Sequence, residues 1–378
     1  MKTLIGAYGP WLETLLPREP GPLSLQNCPP DELPARRRAA HARVLECLAP
    51  PPAGGTAAPQ VVRQSVHDGL AVEELTWAQP VGAPTQAWVL KPAGATGRLP
   101  GVLALHDHGM FKFYGKEKIA QIGPGVHPLV WSHRADAYER LAWANELARR
   151  GCVVLVHDAF AFGSRRVRLA EVATEIQGAL RRDDDESPAG VKAYNEWAAG
   201  HEPVMAKSLF SAGTTWPGVF WAEDRRALDV LCARADVDPA RIGVGGLSGG
   251  GLRTVFLAGL DERVTCAVCA GMMTTWRDFL LNRSFTHTWM CFVPHLPRDL
   301  DFPEILGLRA PRPTLVLNTR ADPLFTVAGM EDAARQLANV YRNAGAPERF
   351  RCSWHPGHHQ FNRAMQTEAF AWFEQWLA

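Results

Sequence analysis

The stretch Arg241-Ile242-Gly243-Val244-Gly245-Gly246-Leu247-Ser248-Gly249-Gly250-Gly251-Leu252 decides how this chain folds. An apolar run ends in it, and a helix-like run, 252–260, leaves it. Strand, Gly-bounded turn and helix is the setting in which Gly-x-Ser-x-Gly forms a nucleophile elbow. The spelling alone carries little, because 33 glycines among 378 residues produce such matches by chance. The placement carries the argument. In so tight a turn, side chains two before and two after the serine would collide, and Gly246 and Gly250 remove that collision. Ser248 is then expected in a strained backbone conformation, its hydroxyl exposed above the sheet.

Outward from the elbow the grammar is α/β. Strands are expected at 61–67, 70–77, 85–91, 101–106, 152–157, 241–247, 264–270, 314–318 and 350–354. Helices are expected at 137–149, 223–235, 250–260, 330–343 and 362–377. Near-continuous apolar strands between amphipathic helices imply a mostly parallel sheet of eight or nine strands, covered on both faces. Asp68-Gly69 predicts an antiparallel hairpin at its N-terminal edge. Two long inserts, 159–220 and 271–312, leave the carboxyl ends of strands, where open α/β sheets bind ligands, and read as a lid or pocket wall. Residues 1–58 read as an accessory arm with one helix, 31–48, capped by Asp31 and stopped by Pro50-Pro51-Pro52. The rest, 59–378, is the catalytic domain.

Composition narrows the function classes. A net charge of +1 points to neither nucleic acid nor a membrane surface. No run approaches the roughly 18 to 20 apolar residues of a membrane span. The opening residues, broken by Gly6, Gly9, Pro10 and Glu13, read as mature protein rather than as a signal peptide. Eight scattered cysteines fit reduced thiols and a cytoplasmic location better than a disulfide framework. Cys266-Ala-Val-Cys269 lies inside an expected strand, where residues three apart face opposite ways, so it reads as core and not as a redox motif.

A serine hydroxyl needs a base, and on this architecture the partners follow in the order Ser, acid, His. Asp322, in the loop after strand 314–318, is the expected acid. The loop after the last strand holds His355, His358 and His359. His359 is preferred because Phe361, two places on, can dock the final helix, and His358 is its rival. Two backbone N–H groups should meet the negative oxygen of acyl transfer. Gly249 supplies one. His108, ahead of Gly109 and Met110, supplies the other from His106-Asp107-His108-Gly109-Met110. A metal at His106-x-His108 lacks a second ligand cluster, so no metal or cofactor is expected. Arg165, Arg166, Trp216 and Trp289 are candidate substrate contacts, and 114–118 is a polar segment that would shape one side of the cleft.

These residues resemble the α/β-hydrolase superfamily. Within it they are similar to the dienelactone-hydrolase-like and acetyl-xylan-esterase-like serine hydrolases, related to the catalytic domain of prolyl oligopeptidases. The likeness is carried by Leu105-His106-Asp107-His108-Gly109, Gly246-Leu247-Ser248-Gly249-Gly250, Asp322 and Pro356-Gly357-His358-His359-Gln360-Phe361, and it spans 61–378. Dienelactone hydrolases use a cysteine nucleophile, and many relatives have His-Gly where this chain has His106-Asp107. The resemblance implies an α/β-hydrolase fold and a Ser248–His359–Asp322 esterase acting on a small-molecule ester. A peptidase or amidase on the same triad is the second reading, and a catalytically silent binding scaffold the third. The arm suggests a homodimer contact.

Overall fold

In the computed structural model, which describes residues 2–18 and 20–378, the chain forms nine strands. They are β1 (Gln60–His67), β2 (Leu70–Trp77), β3 (Thr85–Pro92), β4 (Leu99–Leu105), β5 (Val153–His157), β6 (Val237–Leu247), β7 (Cys266–Ala270), β8 (Thr314–Thr319) and β9 (Phe350–His355). Their order in one sheet is β1-β2-β3-β5-β4-β6-β7-β8-β9. From β5 to β9 every neighbouring pair is parallel, while β1, β2, β3 and β5 pair antiparallel. The expected hairpin is present, with Asp68 and Gly69 both at positive φ (48° and 74°), the twist that a two-residue hairpin loop requires.

Burial follows the apolar runs. β5, β7 and β8 are buried along their whole length, because helices cover both faces. One core packs the helices Leu33–Leu48, Trp216–Cys232, Gly249–Leu260 and Val327–Asn343 against one face, and a second packs Trp143–Arg149 and Arg363–Trp376 against the other. Cys269 belongs to the first core and Cys266 to the second. All eight cysteines are free thiols.

Besides shifts of a few residues at several element ends, four departures from expectation bear on the site and the arm. The helix expected at 137–149 is two helices, Pro128–Tyr138 and Trp143–Arg149. Glu139 and Arg140 take left-handed conformations between them (φ 48° and 67°), and the break lets the Tyr138 hydroxyl reach Asp107. The helix expected from 223 begins at Trp216, because the Thr215 hydroxyl caps it by accepting from the Gly218 amide (2.9 Å) and Pro217 suits a first turn. The first insert contains an unforeseen helix, Pro188–Ser211, started by Ser187 and carrying Pro203 inside it. Asp31 caps nothing. The arm helix starts at Leu33 without a side-chain cap and ends at Ala49, left-handed at φ 44°.

The arm packs on the main body. Glu304 accepts from Ser24 Oγ (2.7 Å) and the Leu25 amide (2.6 Å), His41 bonds the Leu260 carbonyl, and Thr215 Oγ1 donates to the Leu48 carbonyl.

The elbow depends on missing side chains. A Cβ on Gly246 would come within 2.8 Å of Gly250, and a Cβ on either glycine would meet the Leu105 carbonyl at the end of β4. Gly250→Ala should therefore destabilise the fold by about 2 kcal/mol or more, as overpacking does. Gly200→Ala, in the open middle of helix Pro188–Ser211, should stabilise it by about 0.5 to 1 kcal/mol. Urea titration of both variants checks the contrast; equal effects would remove the crowding account.

Candidate active site

Ser248 stands between β6 and helix Gly249–Leu260 at φ 57° and ψ −117°. A non-glycine residue there is strained, and the site holds it by bonding both ends: its amide donates to the Ala270 carbonyl (2.9 Å) and its carbonyl accepts from Leu252 (2.8 Å). Gly249 opens the helix, so its N–H has no carbonyl inside the helix to meet. A Cβ on Gly249 would lie 2.7 Å from the His108 backbone nitrogen. The loop after β4 and the elbow are thus in contact through main chain.

The loop after β8 brings Asp322, and the loop after β9 brings His359. His359 Nδ1 and Asp322 Oδ2 are 2.6 Å apart, and the Leu324 amide donates to Asp322 Oδ1 (2.9 Å). With Nδ1–H donating to the carboxylate, Nε2 is left as the lone-pair nitrogen. That Nε2 is buried and has no hydrogen-bond partner among the described residues, and Ser248 Oγ makes no hydrogen bond there either. The imidazole lies at the mouth of the elbow: a Cβ on Gly271, next to the Ala270 carbonyl that holds Ser248, would be 3.1 Å from His359 Cε1. The other histidines go elsewhere. His358, more than half exposed, faces Asp136 (3.3 Å), and His355 pairs with Glu368 (2.9 Å). Phe361 docks edge-on to Trp143, and its amide bonds the Ala137 carbonyl.

The candidate substrate contacts fall apart. Arg165 is buried, with its Nη atoms committed to Glu223 and to the Val81 and Ala83 carbonyls. Arg166 donates to the Gly163 and Asp183 carbonyls and lies over the Phe113 ring (4.4 Å). Trp216 is fully buried against Phe160. Arg166 is half-buried, and Trp289 is the exposed one, against Phe210 of the first insert. In segment 114–118, Lys116 and Lys118 are buried rather than cleft-facing.

What the sequence reading missed is a layer of buried charge behind the loop after β4. Helix Pro188–Ser211 presents Glu202 to His108 Nε2 (2.6 Å) and to Lys112, and Asn195 Oδ1 accepts from the Lys112 and Phe113 amides. Lys116 pairs with Asp158 (2.9 Å), and Asp158 also accepts from Ser164. Arg253, one turn beyond the elbow, pairs with Asp224, which also bonds His157 (2.8 Å). Asp107 takes the Tyr138 hydroxyl (2.5 Å) and His133. Burial, aided by Lys112, pushes His108 down to about 4, so its imidazole is neutral; Nδ1 accepts from the Met110 amide. Burial would raise the Glu202 carboxyl, but the bonds from His108 and Lys112 outweigh it and bring it to about 2. His106 bonds the Asp107 carbonyl and the Ala159 amide. Among the described residues no three His, Cys, Asp or Glu side chains gather as a metal site.

Beside the loop lies an open groove of about 660 Å³, bordered by Gly109, Met110, Phe111, His133 and Asp136 and, across from them, by Lys192. Two cavities between the arm and the second insert, about 380 and 390 Å³, are not lined by Ser248, Asp322 or His359. No helix among the described residues is long and apolar enough to cross a membrane.

Comparison with solved structures decides the architecture. An acetyl xylan esterase, titled as putative, from Bacteroides fragilis NCTC 9343 superposes with a TM-score of 0.70 at 16% identity, over 93% of this chain and 82% of that one. The fold is that of the α/β-hydrolases. A glucuronoyl esterase from Solibacter usitatus matches with a TM-score of 0.63, again at 16% identity, over 96% of this chain and 99% of that one. In sequence, the chain is 27% identical over 294 residues to "Putative hydrolase YtaP" of Bacillus subtilis (strain 168), covering 77% of this chain and 83% of that protein. No family model matches.

The Glu202 clamp has a pH signature. Its folded value lies below the ordinary 4.5, so its stabilisation is fully present above about pH 4.5 and is lost as pH falls through about 2. At pH 7, Glu202→Gln strands a buried lysine and should lose about 3 kcal/mol or more. The gap to wild type should close steadily between pH 4.5 and 2 in denaturant melts; a gap independent of pH would show that Glu202 carries no charge worth pairing.

Proposed function

We propose that the chain is a serine hydrolase that cleaves a carboxylic ester with a small acyl group or a compact polar form. The observation that carries this is His359, bonded through Nδ1 to Asp322 and turning a free, buried Nε2 to the mouth of the elbow that bears Ser248. The likeness to an acetyl xylan esterase and a glucuronoyl esterase, and to a Bacillus hydrolase, supports the same reading.

In this reading Ser248 Oγ attacks the carbonyl carbon while His359 Nε2 takes its proton. The new C–O bond forms, and the carbonyl pair moves onto oxygen as an oxyanion facing the Gly249 and His108 amides. The Oγ–Nε2 bond forms as substrate arrives, since such bonds are often long in unliganded sites. Asp322 holds the tautomer and steadies the imidazolium. Collapse expels the alcohol with the His359 proton, and water attacks the acyl-enzyme by the same route in reverse. An amidase reading needs an anchor for a peptide terminus. Arg165, Arg166 and Glu117 could each serve, but Arg165 is buried on Glu223, Arg166 donates to two carbonyls and Glu117 pairs with Lys116, which favours the ester.

Ser248→Ala should lower kcat/KM for p-nitrophenyl acetate by about 10⁴-fold or more, and Asp322→Asn by about 10⁴. Neither should lose more than about 1 kcal/mol of stability beyond an ordinary surface change, apart from any relief of strain at Ser248. A fluorophosphonate should label wild type at Ser248 alone. Faster turnover of an aminoacyl-anilide than of the ester would transfer the assignment to an amidase, and absence of labelling would leave a binding scaffold.

A further inference from the structure

Three lysines of the loop after β4 are buried, and they are used differently. Lys112 sits on the Glu202 carboxylate and Lys116 on that of Asp158. Lys118 sits on carbonyls. Its Nζ donates to the Asp107 oxygen (2.5 Å) and to the His108 oxygen (3.1 Å), while the nearest carboxylate oxygen, Asp107 Oδ2, is 3.6 Å away. An ion pair alone would close on the carboxylate.

Peptide geometry gives this a consequence. A trans peptide sets its N–H opposite its C=O. The Asp107 carbonyl shares its plane with the His108 N–H. Holding that carbonyl on Lys118 turns the His108 N–H away from Lys118, and the elbow is close by: a Cβ built on Gly249 would lie 2.7 Å from that nitrogen. Arg253 does the same for the preceding peptide, donating to the His106 carbonyl (3.3 Å). Lys118 is wholly buried, with its Nζ 4.7 Å from the Phe162 ring centre, so bulk solvent screens its charge little. Burial pulls its ammonium down to about 8, with Asp107 opposing and Lys112 and Arg253 adding. A cation kept under that penalty, on carbonyls, is placed for the peptide it orients.

We propose that Lys118 is a positioning residue of the oxyanion site: it fixes and polarises the Asp107–His108 peptide so that the His108 N–H meets the developing oxygen. This rests on the serine-hydrolase reading above. Losing a well-placed oxyanion donor costs 10² to 10³ in kcat, so Lys118→Met should lower kcat for p-nitrophenyl acetate by about 10²-fold with KM changed by less than about twofold. Lys118→Gln, which can still donate to one carbonyl, should recover part of that loss. The ester-over-thionoester rate ratio should fall in Lys118→Met, because sulfur is the poorer acceptor and gains least from the lost donor. A folded Lys118→Met enzyme with wild-type kcat, or one changed only in KM, would overturn the proposal while fluorophosphonate labelling of Ser248 still upheld the hydrolase. A wild-type measurement needs no variant: the His108 amide proton should move downfield in NMR when Ser248 is phosphonylated, and an unmoved proton would also overturn it. Wild type without ester turnover or labelling would instead sink the underlying reading.

Discussion

The Leu105 carbonyl, at the end of β4, occupies the space where the Cβ atoms of Gly246 and Gly250 would stand. That close passage constrains everything above it. It brings the end of β4 and the turn after β6 into main-chain contact, which separate side-chain layers would forbid. It sets the loop 106–110 directly beside the helix that begins at Gly249. It also leaves Ser248 flanked on its helix side by side-chain-free residues, at a backbone conformation that persists because the bonds to Ala270 and Leu252 hold it. The strain and the proximity are one fact seen from two residues.

A loop pressed against the elbow still needs a direction, and buried charge supplies it. Lys112, Lys116, Lys118 and Arg253 face Glu202, Asp158, Asp107 and Asp224, four cations against four anions. Burying such pairs adds little net stability, and apolar packing would often do better. What the pairs add is orientation. Three of them join segments far apart in sequence: Glu202 joins the first insert to the loop, Asp158 joins the ends of β4 and β5, and Asp224 and Arg253 join two helices to β5. Fixed dipoles that need not reorganise during reaction are the physical content of a preorganised site.

How much of this was legible varied with the range of the interaction. The elbow was readable because its cause is local: small residues between an apolar strand and a helix. Asp322 and the histidine loop were readable from chain order after strands that announce themselves as apolar runs. Spacing to Phe361 only favoured His359 over His358, since adjacent residues differ in the direction their side chains take after Gly357, here at φ 110°. The charged layer was hidden for the opposite reason. Lys116-Glu117-Lys118 reads as a polar wall of the cleft, and nothing local says that Asp158 and the Asp107 carbonyl lie behind it. Helix Pro188–Ser211 was masked by Gly200 and Pro203. Arg253 did leave a signal, a lone charge in the apolar run Leu252 to Leu260, which a buried pairing alone can accommodate.

The inserts, whose positions suggest a lid, are tied down in a way that favours fixed walls. The first is held by Glu202 on Lys112 and His108 and by Asn195 on two loop amides. The second is held to the Asp322 loop: Asp278 accepts from the Thr326 amide and hydroxyl, and the Leu324 carbonyl accepts from Thr286 and His287. The two inserts meet where Phe210 approaches Trp289. Lifting the first insert would strand a buried charge, at about 3 to 5 kcal/mol, which confines the opened form to about 1% of molecules or fewer. In the ester-hydrolase reading, a substrate's bulk would enter by space that is already open. The groove bordered by Met110 and His133 is such a space and adjoins the loop that carries the His108 amide.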